Sequence, residues 1–189
     1  RDRYTGELDQ ASLSAARYAA PKALKKPLDG LQRSWNALNK KQAERYQAYE
    51  MVAPGVLTAV QKAVGAIMEH MAESPLPQDD PVLTFYFEAL QFMRLAEQFG
   101  SHALFDVTLS DVGVASAKTR PSTLCVRNVI PAPYLAARYA AAHATVLFSG
   151  TLSPQQFYRD TLGLPKDAPW IDVAAPFQAE QLACLLYTS

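Results

Sequence analysis

Ser149-Gly150-Thr151 follows directly on the compact apolar run Ala144-Thr145-Val146-Leu147-Phe148. A short run of this kind, bounded by a Ser/Gly/Thr turn, predicts a strand that ends in hydroxyl side chains. In an α/β sheet such a strand presents its last residues at the carboxyl edge, where ligands bind. A hydroxyl donates and accepts at once, so Ser149 and Thr151 suit a relay between an acidic, water- or metal-binding group and a second ligand. Gly150 permits a tight turn and close approach to neighbouring elements. A second chemistry is positive charge. From Pro21 to Glu50 there are seven basic residues against three acidic ones, whereas Glu69 to Asp111 holds eight acidic residues and only Arg94 opposing them. The net charge of +0 therefore hides a basic stretch followed by an acidic one. Lys40, Lys41 and Arg45, with Arg127 further along, are candidates for contacts to nucleic-acid phosphates. The plainer alternative is a solvated helix face and complementary packing.

Self-sufficient catalytic signatures are missing from the sequence. There is no Gly-Lys pair and hence no P-loop. There is no G-x-S-x-G elbow: Ser149 lies between Phe148 and Gly150, and Ser153 between Leu152 and Pro154. His70, His102 and His143 are far apart and lack metal-ligand spacing. Cys125 sits in an apolar strand-like run and reads as packing. Two cysteines, Cys125 and Cys184, exclude a disulfide framework and an all-cysteine zinc or iron–sulfur site within this chain. Asp79-Asp80 is explained by helix capping. No apolar run approaches the roughly 20 residues of a membrane span, and no signal peptide is visible.

The elements that must position these residues fall into two kinds. Leu24, Leu28, Leu31, Trp35, Leu38, Gln42, Tyr46 and Tyr49 recur at steps of three and four, which predicts one long helix through Tyr49. A short helix is expected over Leu8 to Ala19. A third starts near Pro54 and ends at Ser74-Pro75-Leu76-Pro77, and a fourth is capped by Asp79 or Asp80 with Pro81 at its first position and Gly100 as its stop. After Gly100 the pattern changes. Ala103 to Leu109 and Thr123 to Val126 read as strands, 113–121 as a polar, basic loop, Pro133 to His143 as a helix and Ala144 to Phe148 as a strand. Ser153, Pro154 and Gln156 form an S-x-x-Q capping box for a last helix that stops at Gly163. The expected fold class is mixed α and α/β: a helical bundle up to about Gly100, then a partial parallel α/β segment.

The stretch Val146 to Pro154, followed by Phe157 and Leu162-Gly163-Leu164, resembles motif III of superfamily 2 helicases, and more narrowly that of the XPD/DinG family of DNA helicases. Ser149, Gly150 and Thr151 match the S-A-T core of that motif, with Gly in the middle. Cys125 to Pro131 looks like the strand that re-enters the first motor domain, and Arg1 to Gln10 looks like the run just after the family's DEAH box. The match is specific over about Leu124 to Leu164 and positional over the helices. It implies three parts: an Arch-like insertion over 1–120, a returning segment of a RecA-like motor domain with motif III over 121–165, and the start of a linker or second motor domain over 166–189. It also implies a piece of a longer ATP-dependent helicase, inactive alone, in which Ser149, Gly150 and Thr151 couple ATP hydrolysis to strand separation and no residue here is catalytic. ATP and Mg²⁺ would be the parent's cofactors. An iron–sulfur cluster is possible in the parent, with no ligands in this chain. The implied partners are single-stranded DNA and the rest of the motor, in a bacterial cytoplasm, with no membrane. Two other expectations compete: a helical protein-interaction module docking through Phe85, Tyr86, Phe87, Phe92 and Phe99, and a small hydrolase using Ser149 or Ser153, which lacks a base and an oxyanion signature.

Overall fold

The computed structural model describes residues 5–110 and 120–174. Most of the expected loop over 113–121, Cys184 and the segment after residue 174 lie outside the described residues.

Strand β1 (Thr5–Asp9) leads into helix α1 (Gln10–Ala19), capped by the Asp9 carboxylate accepting from the Ala11 amide at 2.7 Å. Helix α2 (Lys22–Lys41) carries Pro27 and Gly30 inside it and buries Leu24, Leu28, Leu31, Trp35 and Asn39 along one side. Strand β2 (Tyr46–Tyr49) follows, then helices α3 (Pro54–Glu73) and α4 (Pro81–Glu97), the latter capped by Asp80. Strands β3 (Ala103–Leu109) and β4 (Ser122–Asn128) complete a four-stranded sheet in the order β1-β4-β3-β2. Every pairing is antiparallel.

Alternation along the strands gives the sheet one apolar side. Leu8, Leu124, Val126, Phe105 and Val107 share that side through the register and join Trp35, Phe85 and Phe92 in a single core with the four helices. Gly6 is what lets β1 reach α4: a Cβ there would lie 2.9 Å from the Phe92 Cα, closer than packed carbons tolerate. The fold is thus mixed helix and strand, and the core runs unbroken through the expected boundary at 120/121.

Three expectations are corrected. The sheet is antiparallel, not parallel, because its strands are joined by returning segments rather than by right-handed crossovers between neighbours. The helical half is not free of strands: β1 takes Leu8 from the expected first helix, and β2 takes Tyr46 and Tyr49 from the second. Gln42 is the physical reason. Its side-chain nitrogen lies within hydrogen-bonding distance of the carbonyls of Glu44 (2.9 Å), Arg45 (3.2 Å) and Val107 (3.0 Å). A buried amide that serves these carbonyls ends α2 and fastens the turn to β3.

Helices α5 (Ala132–Ala141) and α6 (Gln155–Leu162) pack on each other outside that core, and neither has a fully buried residue. His102 holds this part to the body, its ring nitrogen bonding the Tyr134 hydroxyl at 3.0 Å and its carbonyl accepting from Val129 and Ile130. Gly163 closes α6 with φ 66°, a left-handed cap against Ala132. The third correction concerns residues 144–153. Ala144 to Phe148 forms no strand, since no neighbouring strand among the described residues pairs with it. The capping box is also absent: Pro154 is the N-cap without a side-chain bond, and Gln156 donates to Asp160 at 2.8 Å.

Candidate functional site

Ser149 and Thr151 face solvent and bond each other. Their hydroxyl oxygens are 3.1 Å apart, and the Thr151 amide donates to the Ser149 hydroxyl at 3.2 Å. The pair is a small hydroxyl turn, preorganised by its own bonds. Gly150 between them has neither a positive φ nor any atom within 4 Å of where a Cβ would sit. The close approach expected of it is therefore not made here. Ser149 and Gly150 border an open groove of about 900 Å³ whose apolar walls include Leu147, Phe148 and Trp170. The run leading to the turn is bare: Val146 is 81% exposed and Phe148 90%.

The basic candidates divide into two places. Lys40 and Lys41 stand exposed on the last turn of α2, and Arg45 is exposed just before β2. Arg127 sits on β4, opposite Leu104 and Thr5, five residues and about 17 Å along the strand from Ser122. Its Nε donates to Asp106 Oδ2 at 2.7 Å. That bond, and the charges of Asp106 and its neighbours, raise the guanidinium's already high pKa. Asp106 is 1% exposed, and its second oxygen has no partner. Arg127 is first of all the counter-charge of a buried carboxylate, which the sequence did not reveal because Asp106 and Arg127 are brought together only by the β3–β4 register.

Sequence reasoning also missed what lies beneath the last turn of α2. Asn39 donates to the Gln10 side-chain oxygen (3.0 Å) and to the Arg120 carbonyl (3.0 Å), and accepts from the Ser122 hydroxyl at 2.8 Å. Ser122 in turn accepts from the Trp35 indole at 2.8 Å, and its amide donates to Gln10 at 3.0 Å. This buried polar knot ties α1, α2 and the start of β4 together and brings Arg120 to the end of α2. The available signal was a polar residue, Asn39, one step from Leu38 on an otherwise apolar stripe.

The remaining candidates are accounted for by packing. Phe85 and Phe92 are core, Tyr86 and Phe99 pack against it, and Phe87 points outward at 58% exposure. Cys125 is buried in β4. Among the described residues no group of three or more His, Cys, Asp or Glu is placed to hold a metal ion, and no helix is long and apolar enough to cross a membrane. No family model and no curated protein matches the chain.

Proposed function

We propose that this chain is a segment of an ATP-dependent DNA helicase of the XPD/DinG type, with residues 5–128 as an Arch-like insertion and Ser149-Gly150-Thr151 as the coupling element of a RecA-like motor domain. The observation that carries this reading is the exposed hydroxyl turn at the end of an apolar run that has no strand partner among the described residues. Val146 and Phe148, left almost fully in water, are the residues that burial in a larger parallel sheet would cover. The register adds support: Thr5 pairs with Arg127, so the incoming and outgoing strands of the 5–128 body lie side by side, as an insertion into another domain requires. In this reading ATP and Mg²⁺ are held by parts of the parent outside this chain, and Ser149 and Thr151 respond to that chemistry without performing it.

The test is Ser149→Ala with Thr151→Ala in the full protein. Two small exposed hydroxyls carry little packing, so folding and ATP hydrolysis persist while strand separation per ATP falls. If unwinding and hydrolysis decline in equal proportion, or neither declines, the turn is only a local hydrogen-bonded bend.

A further inference from the structure

One arginine bonds only neutral groups. Arg159, half-buried on α6, donates from Nη1 to the carbonyls of Pro165 (2.9 Å) and Lys166 (3.4 Å), and from Nη2 to that of Ala168 (2.6 Å). With the Gln155 amide turned to satisfy it, its oxygen accepts from Nη2 and Nε at 2.8 and 2.9 Å. The guanidinium also lies over the Trp170 ring, 5.7 Å from its centroid, and the Trp170 indole donates to Asp172 at 3.1 Å. Among the described residues no carboxylate pairs with Arg159.

Positive charge in a last turn complements the helix dipole, which is the ordinary account of Arg159. It does not account for the carbonyls chosen. Those of Pro165, Lys166 and Ala168 lie beyond Gly163, where α6 has already ended. A planar fork with donors on three nitrogens holds them in separate directions, as an ammonium cannot.

Three parts of the chain meet at this end of α6. Gly163 packs so closely on α5 that a Cβ there would lie 2.8 Å from the Ala132 Cβ, and Ala132 begins α5 just after the chain leaves the body. Thr151 leads through Leu152-Ser153-Pro154 into the other end of α6. Trp170, held under the guanidinium, walls the groove that Ser149 and Gly150 border.

We infer that Arg159 is a positioning residue: it welds α6 to the outgoing segment 165–172, so that a displacement of Ser149-Gly150-Thr151 reaches that segment as the movement of one strut. This rests on the coupling role proposed above and names the residue through which the coupling passes. A helix of eight residues with no fully buried side chain is too short to be stiff by itself, and the clamp supplies the stiffness.

Acrylamide quenching of tryptophan fluorescence in the 189-residue chain reads the clamp by itself, because Trp35 is fully buried and Trp170 is the accessible ring. Arg159→Gln frees the segment and raises the quenching constant, and Arg159→Lys recovers little of the change. Arg138→Gln, the same charge loss at an exposed position on α5, leaves quenching unaltered. In the full protein Arg159→Gln keeps ATP hydrolysis and lowers strand separation per ATP by about fivefold, the size expected of a residue that carries coupling. Trp170→Ala has a similar effect, and the double variant is no worse than the poorer single one, since the two side chains act as a unit. Trp170→Phe keeps a ring beneath the guanidinium and stays close to the unaltered protein.

Unchanged quenching in Arg159→Gln would overturn the clamp whatever the coupling results. Raised quenching with unchanged strand separation per ATP would overturn the strut, and if Ser149→Ala with Thr151→Ala is uncoupled in the same assay, the coupling turn stands without it. Strict additivity of Arg159→Gln and Trp170→Ala would also overturn the strut. If the Ser149 and Thr151 variant itself stays coupled, the coupling reading fails and takes the strut with it, while the quenching result still decides the clamp.

Discussion

Replacing Asn39 by leucine, which is close in shape, tests the polar knot directly. Three hydrogen bonds disappear, but their costs differ. The Gln10 oxygen keeps the Ser122 amide, and the Arg120 carbonyl belongs to an exposed residue and can take water. The Ser122 hydroxyl, buried beside Trp35, loses its acceptor outright. One stranded buried donor costs about 1–3 kcal/mol, and the two weakened bonds bring the expected loss to about 2–4 kcal/mol. With a urea dependence of about 2 kcal/mol per M, the unfolding midpoint falls by about 1–2 M at constant slope. Ser122→Ala alone leaves the Trp35 N–H and the Asn39 oxygen unpaired. The double variant is therefore milder than the sum of the two by about 1 kcal/mol or more. A midpoint shift worth less than about 0.5 kcal/mol for Asn39→Leu would refute the assignment, as would strict additivity in the cycle.

Gly6→Ala forces a Cβ to 2.9 Å from the Phe92 backbone and should cost about 1–3 kcal/mol in a thermal melt, with an unchanged melting temperature as the contrary result. Gly150→Ala meets open space at a negative φ and should leave stability within about 0.5 kcal/mol; a larger loss would mean Gly150 is held in a tighter site than the one described. Arg127→Gln leaves the Asp106 carboxylate buried without its cation and should cost about 1–3 kcal/mol, below the figure for a wholly buried pair because Arg127 is half in water; pairing it with Asp106→Asn should recover part of the loss. The Arg17 guanidinium bonds the Asp29 carboxylate and lowers its pKa, so this pair stabilises the fold above about pH 4 and loses that effect as pH falls through the lowered value. Arg17→Gln should return the Asp29 titration, followed by NMR, toward the usual carboxylate range, and an unmoved titration would show that other charges set it.

The helices were legible where an apolar stripe and a stop signal agreed. Pro54, Asp80-Pro81 and Gly163 mark real ends, and Leu24 to Trp35 mark the buried side of α2. Legibility failed where a tertiary bond decided the outcome. Gln42, Tyr46 and Tyr49 continue the three–four spacing on paper, yet the Gln42 amide reaches Val107 and ends the helix. β1 and β2 are five and four residues long, too short for alternation to stand out from a flanking helix pattern. Ala144 to Phe148 has strand composition without a strand, since a ladder needs a neighbour and composition does not supply one. At the candidate site Ser149 and Thr151 lie two residues apart in sequence and were readable, whereas Arg120 meets Asn39 only through the fold.

The β1–β4 ladder has a mechanical consequence. Thr5 and Arg127 form its outermost rung, with the chain arriving at one and leaving from the other. Tension applied through the flanking chain therefore acts across the rungs, not along them, and loads one pair at a time. The five pairs from Thr5↔Arg127 to Asp9↔Thr123 open in sequence like a zip, and each step also draws β1 away from α4, where the Gln91 side chain donates to the Thr5 carbonyl at 3.0 Å. Once Leu8 is peeled from Leu124 and Asp9 from Thr123, the next bonds along the chain are those of Gln10 to Ser122 and Asn39. The ladder is thus the tear line of the body at its attachment. A pull on that attachment propagates first to the knot beneath Arg120.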